Sequence, residues 1–261
     1  IENTTSAPLK DIQVVITTEP TFGNAAPMAV EQIPANGSIR LSSFNLTLSA
    51  NYFTQLTERL SGNLKIEITA EAEPIFCQTY PIDILAYDQW GGLNVLSEML
   101  AAFITPNHTA ISPIIKRAAS ILGQWTGNPS LDEYQSRTPD RVRKQMAAIY
   151  TAIAEQQIIY STVPASFEEY GQRVRLADSV MAQKLGTCLD MALLYASCLE
   201  AIGLNALIVI TQGHAFAGAW LVPETFPDPT IDDVSLLTKR TAEGIYDITL
   251  VETTCMNMLS L

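Results

Sequence analysis

Hydrophobic and polar positions change rhythm once along this chain, near Trp90. Before it, apolar residues alternate with polar ones in short runs such as "DIQVVITTEP", "GSIRLSSFNLTL", "GNLKIEITAEAEP" and "FCQTYPIDILAYD". Period-two alternation predicts strands with one buried and one solvated face. "ANG" at 35–37 and "SGN" at 61–63 are turn chemistry between such runs. The stretch 52–60, "YFTQLTERL", reads as one short helix or a polar strand. After Trp90 the period lengthens. The runs 93–105, 112–125 and 138–161 predict amphipathic helices. Ser112-Pro113 and Thr138-Pro139 read as an N-cap followed by a first-turn proline. The segment 178–203 predicts two more helices broken at Gly186, and strands follow at 206–212, 215–222 and 246–253.

These patterns predict two domains of an α+β chain. Residues 1–88 form an immunoglobulin-like β-sandwich, and residues 89–261 form a helical and β domain. At 261 residues, 48% hydrophobic and 16% charged, the composition is that of a well-cored protein rather than a disordered one. The net charge is −12. The first 88 residues carry four basic and ten acidic side chains, leaving eleven and seventeen for the rest. Neither part has the basic surplus that a phosphate backbone requires, so direct nucleic-acid binding is excluded as an expectation. No apolar run approaches membrane-spanning length, and no membrane association is expected. Four cysteines without a CxxC pair point to a reducing, cytoplasmic setting. The missing initiator Met and the end just after a strand-like run read as a piece of a longer protein.

The chemistry concentrates in "KLGTCLDMALLYASCLEAIGLNALIVITQGHAFAGAWL", residues 184–221. Cys188 stands where a helix begins, with Thr187 or Gly186 as its cap and Gly203 as its stop. Unpaired N–H groups and the positive end of the helix dipole there stabilise a thiolate and can donate to a developing oxyanion. Only two histidines are present. His214 follows Gly213 at a tight turn and is the candidate base; His108 reads as a loop residue. A base needs an acceptor to fix its tautomer. On the last strand, alternation puts Ile248, Leu250 and Glu252 on one face and Asp247, Thr249 and Val251 on the other. Glu252 is the candidate orienting carboxylate, with Asp247 as the alternative. Gln172 and Gln183 are both open as oxyanion donors. Asp190 reads as a first-turn carboxylate favoured by the dipole. Cys198 lies about 15 Å along the helix from Cys188 and roughly 80° round it, and reads as core. Cys77 and Cys255 read as strand residues with packing roles. A zinc site from Cys188, His214 and Glu252 lacks any close-spaced ligand pair.

Three blocks in order resemble the transglutaminase-like superfamily. "GTCLDMALLYASCLEAIG" is similar to its G-x-C-x-D helix, "GHAFAGAWL" to its H-A-[WF] strand, and "LVETT" to its D-P-[ST] block with Glu252 in place of Asp. The likeness covers roughly residues 140–255. It implies a papain-like α+β fold and a Cys188–His214–Glu252 triad that works without cofactor or metal. The implied activity is thiol-dependent acyl transfer on a protein or peptide substrate: peptide or isopeptide amide hydrolysis, or transamidation. More narrowly, "GQRVR" together with the Cys and His blocks is similar to transglutaminase-like segments of large bacterial multidomain proteins with helicase and nuclease-type modules. That implies further domains of the same parent chain. The alternative is a non-catalytic protein-recognition module that keeps the same fold.

Overall fold

Strand alternation in the first part of the chain becomes a four-stranded antiparallel sheet and a two-stranded one in the computed structural model, which describes residues 1–95, 97–162 and 171–258. The chain is a mixed α+β protein that divides into two units, Ile1–Gln89 and Trp90–Leu261. In the first unit the strands are β1 (Leu9–Glu19), β2 (Gly23–Ala25), β3 (Met28–Ile33), β4 (Leu46–Leu48), β5 (Leu60–Ala70) and β6 (Glu73–Ile84). The four longest pair antiparallel in the order β3-β1-β5-β6, and β2 pairs with β4. Ile12 and Val14 of β1, two apart and therefore on one face, are buried with Ile33, Ile68 and Ala70. The ambiguous stretch after residue 50 resolves into a helix, α1 (Ala50–Gln55), because the Ser49 side chain accepts the Tyr52 N–H at its start. β6 is an edge strand, and Ile75, Phe76 and Tyr80 are exposed on it despite their apolar character. Cys77 on β6 is exposed too, so it has no packing role.

The second unit is built around one buried helix. Following β7 (Gln89–Trp90), at the boundary between the units, and a 3-10 helix at Ser97–Phe103 come α2 (Ile111–Thr126), α3 (Pro139–Ala154), β8 (Ile159–Tyr160), β9 (Gln172–Arg173), α4 (Ala177–Gln183) and β10 (Leu185–Gly186). Then come α5 (Cys188–Ala201), β11 (Ala206–Thr211), β12 (His214–Trp220), α6 (Val234–Thr241) and β13 (Ile248–Val251). Every residue of α5 from Cys188 to Leu199 is buried. A helix that is apolar all round must be covered on all sides; α2, α3 and α4 pack on it, and so do β11 and β12. β11, β12 and β13 form an antiparallel sheet with β12 central. Ala217 and Ala219 of β12 are buried in the core that α5 shares with α2 and α3. Small side chains there let helix and sheet approach closely.

Two expectations about helices are corrected, one at a start and one at an end. Ala110, not Ser112, is the N-cap of α2, and it makes no side-chain cap bond. Pro113 then falls at the third helical position, where its missing N–H has no intrahelical partner to lose. The run 138–161 is not one helix. α3 ends at Ala154, and residues 159–160 form β8, drawn into parallel pairing with β10. Among the described residues no helix is long and apolar enough to cross a membrane.

Candidate active site

Cys188 is the first residue of α5, and Thr187 is the cap. Thr187 accepts the Asp190 N–H while the Asp190 carboxylate accepts the Thr187 N–H at 2.9 Å, a reciprocal box that fixes the turn into the helix. Asp190 does more than complement the dipole. It is fully buried, and it also accepts the Arg175 backbone N–H at 2.8 Å and the Arg175 guanidinium at 3.1 Å. The segment after β9 is thereby tied to the start of the cysteine helix. The Cys188 side chain is buried with Trp90, Leu100, Val174, Leu189, Leu193 and Ala215. Gly171 explains how β9 comes so near. It has φ +76°, and a Cβ there would overlap the backbone of Trp90 and Gly91, so only glycine lets the chain pass.

His214 is the first residue of β12, not a residue ahead of it. Gly213, at φ +69°, makes the turn from β11, where Thr211 pairs directly with His214. Ala217 pairs with Val251 across β12 and β13. Continuing that register places Glu252 diagonally across from His214 on the same face. Their side chains meet, with His214 Nε2 and Glu252 Oε2 2.7 Å apart. The other carboxylate oxygen accepts both the backbone N–H (2.9 Å) and the hydroxyl (2.7 Å) of Thr254. Tyr150 of α3 donates to the Glu252 carbonyl at 3.2 Å, and its ring stands edge-on to Tyr195 of α5, which links this strand end to the central helix. Partial burial opposes ionisation of Glu252, but the Thr254 and His214 bonds outweigh it and hold the carboxyl below its ordinary range. An ionised carboxylate only accepts. Nε2 therefore donates to it, which in the neutral ring leaves Nδ1 as the nitrogen with the lone pair.

Asp247, the alternative orienting group, is occupied elsewhere. It accepts from the Arg240 guanidinium at 2.8 Å and does not bond His214. Gln183 is exposed at the end of α4. Gln172 lies two residues from Val174 of the Cys188 cluster, and its side-chain oxygen is buried without a partner among the described residues. Cys198 is fully buried, and burial pushes its thiol far up. Cys255 lies in the closing 3-10 helix, not a strand, and is exposed. Among the described residues no group of three or more His, Cys, Asp or Glu is placed to hold a metal ion.

Comparison with known proteins adds little to this geometry. No family model and no curated protein matches the chain. Among solved structures it is similar to the periplasmic domain of TgpA from Pseudomonas aeruginosa bound to ethylmercury. The identity is 12% and the TM-score 0.27, over 96% of this chain and 91% of that one. A likeness that loose carries no argument.

Tyr160 was hidden in the sequence because it fell inside an apparent helix. In the structure it pairs with Gly186, two residues before Cys188, and burial, then the neighbouring Cys188 and Glu252, push its phenol above the ordinary range. The only local signal was the apolar pair Ile158-Ile159 after two glutamines, too short to distinguish strand from helix.

Proposed function

We propose that this site performs thiol-dependent acyl transfer, with Cys188 as nucleophile, His214 as general base and Glu252 as its orienting carboxylate. The observation that carries the reading is the His214–Glu252 bond, made by a carboxylate that is itself fixed by Thr254 and held ionised. A structural imidazole has no need of a tautomer set this way. In the reaction His214 Nδ1 takes the Cys188 proton, and the thiolate attacks an amide carbonyl. The imidazolium then protonates the leaving amine, and water or a second amine resolves the thioester. Water is always at hand, so hydrolysis of a peptide or isopeptide amide is the favoured outcome over transamidation. The blocks GTCLD, GHAF and VETT support the same reading through their likeness to the transglutaminase-like superfamily.

The test is covalent capture by a peptide-based electrophile, read by mass spectrometry. Wild-type protein is expected to label at Cys188, and Cys188→Ala to abolish the adduct. His214→Ala is expected to slow it by roughly 10²–10⁴-fold, the usual worth of a positioned base. Labelling of His214→Ala at the wild-type rate would sink the enzyme reading and leave a protein-recognition module on the same fold.

A further inference from the structure

We propose that the outer edge of β13 is a binding site for an extended peptide carrying an acidic side chain: the peptide backbone pairs with Leu250, and the Arg143 guanidinium takes the carboxylate. The inference goes beyond the acyl-transfer reading and does not depend on it, since it concerns binding without turnover.

The hydrogen-bond alternation of the sheet carries the argument. Trp220 N–H donates to the Asn205 carbonyl on the β11 side, and Leu221 N–H to the Asp247 carbonyl on the β13 side, at 3.0 and 2.7 Å. Leu221 stands opposite Asp247 in the register that pairs Trp220 with Ile248. In an antiparallel pair, a residue bonded to its opposite turns its N–H and C=O toward the partner strand, and its neighbours turn theirs away. Thr249 therefore faces β12 with both groups, whereas Ile248 and Leu250 direct theirs outward. β13 is an outer strand of its sheet, and among the described residues nothing bonds the outward N–H or C=O of Ile248 or Leu250. Ile248 is buried and Leu250 only half-buried, so Leu250 is the residue open to a new strand. An unpaired edge of this kind is a template for strand addition.

A cavity of about 440 Å³ lies along this edge. Ile248, Thr249 and Leu250 all line it, although successive side chains of a strand point to opposite faces; a cavity beside the backbone is the one that touches all three. α3 flanks the same edge. Its Tyr150 donates to the carbonyl of Glu252, the next outward-facing position after Leu250. Arg143 stands two turns earlier on the same stripe of α3 and lines the cavity. Among the described residues Arg143 has no ion pair and no hydrogen bond; Asp140, one turn back, is taken by Lys144 at 2.7 Å. The half-buried guanidinium instead lies 5.7 Å from the centre of the Tyr246 ring, another wall of the cavity. A guanidinium stacked on a ring keeps its in-plane N–H fork free for a carboxylate. In a protein of net charge −12, a half-buried cation without a counter-charge selects an acidic partner.

The experiment titrates the wild-type protein with an acetylated and amidated pentapeptide, threonine-valine-glutamate-valine-threonine, and with its glutamine analogue. Calorimetry gives the dissociation constants, and amide hydrogen exchange reads Leu250. The expected result is slowed exchange at the Leu250 N–H with the glutamate peptide, and a glutamine analogue that binds roughly tenfold more weakly for want of one charge-assisted bond. Arg143→Gln is expected to bind both peptides alike, and Arg143→Lys to keep part of the preference. The wild-type comparison decides by itself where Arg143→Gln fails to fold. No binding at millimolar peptide, equal wild-type affinities, or a preference retained in Arg143→Gln overturns the proposal. Binding that leaves Leu250 exchange unchanged overturns it too, because the backbone is then not paired. Protection of Leu250 that rises with protein concentration before any peptide is added overturns it in favour of a second copy of the chain at this edge.

Discussion

Asp190→Ala tests how the cysteine helix is held. The carboxylate is 0% exposed and accepts three hydrogen bonds from two residues, the Arg175 N–H and guanidinium and the Thr187 N–H, while the Asp190 backbone N–H completes the box by donating to the Thr187 hydroxyl. Alanine leaves the Thr187 and Arg175 N–H groups without acceptors, at about 1–3 kcal/mol for each that stays buried. It also breaks a buried ion pair, for which one-sided removal costs about 3–5 kcal/mol. These losses describe one group and do not add, so the expected destabilisation is about 3–5 kcal/mol. Arg175→Ala should cost less, about 1–2 kcal/mol: the arginine side chain is 29% exposed, and Asp190 keeps both backbone donors. Urea unfolding followed by tryptophan fluorescence reads the correct unit, since Trp90, Trp125 and Trp220 all lie in it. The double mutant closes a cycle whose coupling measures the ion pair. An Asp190→Ala protein within 1 kcal/mol of wild type, or an Arg175→Ala protein less stable than Asp190→Ala, refutes the clamp.

Two other outcomes follow from the same geometry. Glu252→Gln should slow Cys188 alkylation at neutral pH by at least roughly tenfold, because the amide no longer fixes the His214 tautomer. Asp247→Asn should leave that rate near wild type and act on stability alone, through Arg240; the opposite ranking in a labelling time course would discard the Glu252 assignment. Stability should also fall in alkali. Folding raises the Cys198 thiol and the Tyr195 phenol, both by burial, so the unfolded chain loses those protons first. The stability they contribute is complete below about pH 8.5, where the unfolded thiol begins to ionise. Above that it falls by about 1.4 kcal/mol per pH unit for each group titrating. Chemical denaturation between pH 8 and 10.5 should show that slope flattened in Cys198→Ala; identical slopes in the two proteins would mean Cys198 ionises in place.

Much of the molecule is legible in local sequence, and the reason is range. A helix is decided by side chains three and four apart and by its cap, so α3 stands out as a periodic run and α5 as a run of apolar helix formers opened by Thr187. β11, β12 and β13 stand out through their apolar, β-branched and aromatic residues, and Cys198 as core through the unbroken apolar α5 around it. The α+β class follows from those elements. What only the tertiary structure decided involves partners far apart in the chain. β8 was lost inside an expected helix because its two residues owe their strand geometry to β10, 26 residues on in the register. α6 went unnoticed because it is only eight residues long and none of them is buried. β6 alternates as if half-buried, yet an edge position exposes both its faces. The choice of Glu252 over Asp247 was open to alternation alone. The β12–β13 register brings Glu252, not Asp247, to His214, and Arg240 takes up Asp247. Asp190 looked like a dipole-stabilised first-turn acid because Arg175 is 15 residues away. Tyr160 and Gly186 are 26 positions apart and meet only because β8 and β10 pair. Local propensity sets the shape of each element, while pairing register and burial against remote neighbours choose which polar groups end up face to face.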